Sequence, residues 1–159
     1  MAKQSSQEIE EKEIQVALSP QVALNTHEKI NTVYSGDIDK LEKGFARILL
    51  ETNEVMRADD VGLVHGGFIF SSADFAAMAA VNEPNVVLAS CSCLFLAPVR
   101  VGDIVVFEAV EHQKEGRKRN VTVKGYVNTI KVFEGEFKTV VTERHVLRLD
   151  LMKNIEEPK

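Results

Sequence analysis

Two hydrophobic rhythms organise the chain between residues 30 and 145. Thr32–Leu41 alternates weakly and reads as a strand, Glu42-Lys43-Gly44 as a turn, and Phe45–Thr52 as the returning strand. A loop at 57–62 then leads to His65-Gly66-Gly67. Phe68–Val81 is apolar nearly all round, which predicts a buried helix rather than a surface one. Its five alanines after the serines let a neighbouring backbone approach closely, so something wraps tightly around it. Asn82-Glu83-Pro84-Asn85 stops the helix. Four strand-like runs follow: Val86–Leu96, Ile104–Gln113, Asn120–Asn128 and Lys131–Glu143. Their short, turn-rich connectors predict antiparallel neighbours along the chain. One helix on one antiparallel sheet of about six strands is an α+β layer solution.

The flanks have another character. Residues 1–29 read as an arm, helical in part or loose, with a polar helix-prone stretch from Ser5 to Ile14 and Pro20 beyond it. Residues 148–159 read as a charged tail, which leaves 30–147 as the folded domain. A length of 159 residues suits one such domain. The net charge of −5, without a long basic stripe, argues against nucleic acid as the main partner. The N-terminus lacks the apolar core of a signal peptide, and no apolar stretch is long enough for a bilayer-spanning helix, so a cytoplasmic protein is expected. Cys91 and Cys93 stand two apart in a strand and so point the same way. That geometry suits buried thiols, not a disulfide, and two ligands do not make a zinc site. No metal site is expected.

The run Gly62-Leu63-Val64-His65-Gly66-Gly67-Phe68-Ile69-Phe70-Ser71-Ser72-Ala73-Asp74 resembles the signature of hotdog-fold acyl-CoA thioesterases of the phenylacetate-pathway type. That signature is His-Gly-Gly, a few apolar residues, then an acid nine positions after the His, where this chain has Asp74. Phe95–Asp103 is similar to the same family's strand-turn-strand link. The stretch also resembles the ligand domain of the malonyl-CoA-sensing regulators of fatty-acid synthesis and, more faintly, a hotdog protein of the Campylobacter flagellar regulon. The N-terminal arm is too short and too acidic for the DNA-binding helix-turn-helix of those regulators. The resemblance implies a hotdog fold whose sheet wraps the long helix. It further implies a homodimer or a dimer of dimers, with ligand sites at the dimer interface and a thioester of CoA or of acyl carrier protein as ligand or substrate. No cofactor beyond that thioester is implied.

Candidate chemistry gathers at the helix start. The first amides of a helix lack internal partners and sit at its positive end, and a glycine lets a ligand come close. The resemblance gives Gly66 the role of donor to the oxyanion of an attacked thioester. His65, Gly67 and Phe68 would line the same ligand site. Asp74 is the lone acid of a mostly apolar run, so it reads either as a general base or nucleophile, or as a structural acid bonded to Ser71 or to a neighbouring chain. The family tends to carry Asn six residues before the His, where this chain has Asp59. A second carboxylate facing a developing oxyanion would oppose it unless it is turned away. Lys114, Arg117, Lys118 and Arg119 form a local basic cluster, with Arg117 the candidate for CoA phosphate contact and a solvated turn the plainer reading. Phe68, Phe70, Phe75 and Met78 suit an acyl tunnel and a plain core equally well. Three functions remain open: an acyl-thioester binder, an acyl-CoA thioesterase working through Asp74, and a structural dimer with a vestigial pocket.

Overall fold

The computed structural model describes residues 22–149; the expected arm up to residue 21 and the tail from residue 150 lie outside the described residues. The strands are β1 (Asp37–Glu42), β2 (Phe45–Glu51), β3 (Val86–Phe95), β4 (Ile104–Glu115), β5 (Lys118–Val127) and β6 (Ile130–Val141). They form one six-stranded antiparallel sheet in the order β1-β2-β4-β5-β6-β3. A four-residue helix α1 (Thr32–Ser35) precedes β1, and the long helix α2 (Gly66–Val81) lies between β2 and β3. This is the expected α+β hotdog architecture.

Two sequence-based expectations are corrected. Thr32–Leu41 is not a single strand. The Asn31 side chain accepts the Val33 N–H at 3.0 Å and caps a helical turn, α1. Gly36 then breaks the chain direction at φ +86°, and β1 starts only at Asp37. A methyl group on Gly36 would meet the Leu49 carbonyl oxygen at 2.7 Å, so glycine is required there by both backbone and space.

The second correction concerns β3 and β4, which are consecutive but not neighbours. β3 pairs with β6 at one edge, and β4 lies between β2 and β5. The linking segment does not turn back on itself; it runs under the start of α2. There the Val99 carbonyl accepts the Val64 N–H at 2.9 Å, and the Val101 N–H donates to Gly62 at 2.9 Å. Backbone pairing with the loop replaces the hairpin bonds that the short link suggested.

The sheet curls around α2, which touches all six strands. The helix is apolar on every side because it is covered on most sides. Ala73, Ala76, Ala77, Ala79 and Ala80 are fully buried, and their small side chains let the strands close in. Phe75, Phe107, Phe133 and Phe137 fill the space between helix and sheet. Each stabilises the fold by roughly 1.5–3 kcal/mol relative to exposure. At the far end of α2 the Asn82 side chain accepts the Asn25 N–H at 2.7 Å and donates to the Ala23 carbonyl at 2.8 Å. Residues 23–25, expected in the loose arm, are thus fastened to the body.

Candidate acyl-thioester site

The start of α2 is placed by its flanks. Arg57 pairs with Val64 and Leu63 with Arg100 in isolated bridges, and the His65 N–H donates to Met56 at 2.9 Å. Residues 63–65 are therefore clamped between two segments, which fixes where the helix begins. Asp59 organises the loop before the clamp. One of its oxygens accepts the N–H groups of Val61, Gly62 and Leu63 at 3.0, 2.9 and 3.1 Å. These bonds hold its carboxyl below the usual carboxylate range. Asp59 is exposed, and this oxygen is committed to the amides of its own loop. Asn53, the other residue considered for that place, caps the turn Glu54–Met56 by accepting the Val55 N–H.

Gly66 and Gly67 open α2 in ordinary helical backbone; neither has a positive φ. A methyl group on Gly66 would sit 3.5 Å from the Phe95 ring, an ordinary van der Waals contact. Neither backbone nor packing therefore demands glycine at Gly66, although glycine costs up to about 1 kcal/mol in a helix. The N–H of this first helical residue has no intrahelical partner. The His65 ring stands over Gly67 and edge-on to Phe68, with ring centres 6.0 Å apart. Phe68 stacks on Tyr34 at 6.1 Å.

Asp74 lies two turns deeper, partly buried, and its Oδ1 is buried without a hydrogen-bond partner among the described residues. Burial pushes its pKa up to about 6. Ser71 does not bond it, since the Ser71 hydroxyl pairs with Ser35 at 2.8 Å. Ser72 is fully buried and its hydroxyl is likewise unpartnered. Across from the helix, Cys91 and Cys93 of β3 are free thiols packed against the core. Burial, reinforced by Cys93, pushes the Cys91 thiol up to about 12, so it stays protonated and is no nucleophile at neutral pH. Of the four apolar helix residues, Phe75 and Met78 are core, whereas Phe68 and Phe70 are only partly covered.

Arg117 is not at this site within the chain. Its carbonyl accepts the Val141 N–H at 2.8 Å, and Val141 pairs with Val86, just past the C-terminal end of α2. Its guanidinium is paired with Glu143. Arg119 of the same cluster is buried and bonds the Gly116 and Lys118 carbonyls. Arg119 thus serves its own hairpin, and Arg117 ties that hairpin to the segment after β6.

A feature not read from the sequence adjoins Gly66. A cleft of about 340 Å³ opens there, walled by Ile69, Phe95, Leu96, Pro98 and Val132. The signal was the apolar run Phe95-Leu96-Ala97-Pro98, which keeps large hydrophobic groups in the chain after β3 has ended.

A family model of the thioesterase superfamily matches residues 61–130, which span the clamp, α2 and β3 to β5. An uncharacterized protein from Pyrococcus horikoshii is 43% identical, with 81% of this chain and 99% of that one aligned at a TM-score of 0.79. A sigma28-regulated virulence protein from Campylobacter jejuni is 37% identical, covering 79% of this chain and 89% of that one, at a TM-score of 0.76. Among curated proteins, 117 residues are 52% identical to the methylthioribose-1-phosphate isomerase of Aquifex aeolicus, covering 74% of this chain. The transcription factor FapR of Caldanaerobacter subterraneus is 30% identical over 80% of this chain. The chain spans only 26% of that isomerase and 66% of that regulator. With fold, signature and family model in agreement, the chain belongs to the thioesterase superfamily and carries a hotdog fold.

Proposed function

We propose that this protein binds an acyl thioester between two copies of itself, with the Gly66 amide of one copy and Asp74 of the other at the acyl carbonyl. The carrying observation is the buried Oδ1 of Asp74, which has no hydrogen-bond partner among the described residues. Its distance from Gly66 then asks for a second copy. Eight residues of helix separate the two by about 12 Å along the axis, too far for one carbonyl to reach both within a chain.

The sheet offers the means of pairing. β3 is a long edge strand of ten residues, without a neighbour on one side among the described residues. Leu94 on it is 62% exposed. Long apolar edges invite a partner strand. A second β3 laid along the first brings the two helices and their tips together.

Hydrolysis is the further reading, favoured by two observations. Burial brings the Asp74 carboxyl nearer to working pH, as suits a general base. One oxygen of Asp59, the carboxylate that would oppose an oxyanion, accepts three amides of its own loop, which offset part of its charge. Water activated by Asp74 would attack the thioester carbonyl, the Gly66 amide would hold the oxyanion, and the thiol would leave.

Thermal unfolding with a non-hydrolysable acyl-CoA thioether tests binding, because a ligand of the folded state must raise its stability. A rise of several degrees at saturation is expected, and no rise would leave only a structural dimer. Thiol release from acyl-CoA, abolished by Asp74→Ala, is the result expected of the thioesterase.

A further inference from the structure

We infer that Phe95 and the cleft beside Gly66 select neutral, apolar acyl groups and reject acyl groups that end in a carboxylate. The inference rests on the thioester reading above and adds the substrate class to it.

Among the described residues of one chain, the cleft is lined by apolar side chains together with Gly66, with no Lys, Arg or His side chain and no side-chain hydroxyl or amide. With the Gly66 amide taken by the acyl carbonyl, a carboxylate farther along the cleft would find no side-chain donor, whereas an alkyl or aryl group would gain contact area. An ionised carboxylate left unpaired in an apolar site costs far more than a methylene too many, which is worth only about 1–3 kcal/mol.

Phe95 is the residue that turns this lining into a wall. It is the last residue of β3 and 54% exposed, an unusual place for a large aromatic. One edge of its ring is held by Phe133, with centres 5.4 Å apart and planes at 77°. Phe133 is itself fixed in the core between Phe107 and Phe137. The wall is therefore anchored from behind while its front looks into the cleft. Its ring carbons also pass within 3.5 Å of the point where a Gly66 side chain would begin. A carbonyl seated on the Gly66 amide thus has the Phe95 ring beside its acyl substituent. This supplies the missing reason for glycine at Gly66: the space a methyl group would take is the space the acyl group needs.

The test measures calorimetric affinity for four probes on the intact protein: free CoA and non-hydrolysable thioether analogues of octanoyl-, phenylacetyl- and malonyl-CoA. The two apolar analogues should bind at least tenfold tighter than free CoA, and the malonyl analogue no tighter than free CoA. Phe95→Ala should remove most of that tenfold preference and leave free CoA unchanged. Phe95→Leu should restore the octanoyl analogue more than the phenylacetyl one. Leu96→Lys, at an exposed wall position, should raise malonyl affinity while lowering the octanoyl one. Should the malonyl analogue bind as tightly as the octanoyl analogue, or Phe95→Ala bind all analogues as the parent does, the selectivity is refuted and the thioester site survives. If none of the four binds, the thioester reading fails and takes this inference with it.

Discussion

At the scale of single residues, Asp74 and Ser72 each bury a polar atom that has no partner among the described residues, and each has a measurable consequence. The Asp74 carboxyl titrates near 3.8 when unfolded and near 6 in the folded chain, so between those values the folded form holds more protons. Stability must therefore fall as pH rises from about 4 to 6, by up to about 3 kcal/mol, and stay at the lower level above that. Urea unfolding of the parent across this window should show the decline. Asp74→Asn should flatten it and be the more stable protein at pH 7. A parent midpoint independent of pH there would show a solvated carboxyl instead. Thioester hydrolysis should run the other way, with kcat/KM rising through pH 6 as the base loses its proton and absent in Asp74→Asn. Ser72 offers the contrast: a fully buried hydroxyl with no partner among the described residues and no place in the proposed chemistry. Ser72→Ala should stabilise by about 1 kcal/mol, since it removes an unmet hydrogen bond and favours helix. A destabilised variant would reveal a partner for that hydroxyl in the assembled protein.

Elements were legible in the sequence where a rhythm ran long enough to be unambiguous. The strands β4, β5 and β6 alternate buried and exposed positions over most of their length, and the sequence placed them within a few residues. The helix was plain from its all-round apolarity, though its two opening glycines were left out, since glycine is a poor helix former. α1 was hidden because four residues are too few for a period to show, and its Asn31 cap and Gly36 stop are the local signals that decide it. The position of β3 was hidden for a different reason. Chain order records how far apart two strands are along the sequence, not which edge each takes, and the pairing of 99–101 with 62–64 is a contact between distant segments. That edge position makes a prediction at the scale of the strand. Leu94→Lys puts a charge on the exposed edge, which native proteins use to block strand addition. Sedimentation should then show monomer where the parent sediments as dimer, with thioester binding lost and the unfolding temperature of the monomer little changed. A Leu94→Lys dimer that binds the ligand would place the interface elsewhere.

For the whole molecule, the signature His65-Gly66-Gly67 to Asp74 could not by itself show how far apart the two groups proposed to act on the thioester stand. Sequence spacing becomes distance only once the segment is known to be one continuous helix, and then eight residues give about 12 Å. In the proposed reading this separation leaves each subunit with only part of a site, which mixing two inactive variants tests directly. Gly66→Val crowds the amide in one chain, and Asp74→Ala removes the carboxyl from the other. In a mixed dimer one site unites both lesions, and the other unites the intact Gly66 of one chain with the intact Asp74 of its partner. Random reassociation of equal amounts makes half of the dimers mixed, each with one of two sites intact, so about a quarter of parental activity should return. If one chain carried a whole site, every site in the mixture would hold a lesion and nothing would return. Recovery near a quarter therefore separates a site shared across the two-fold axis from one contained in each subunit, and it does so without a structure of the complex.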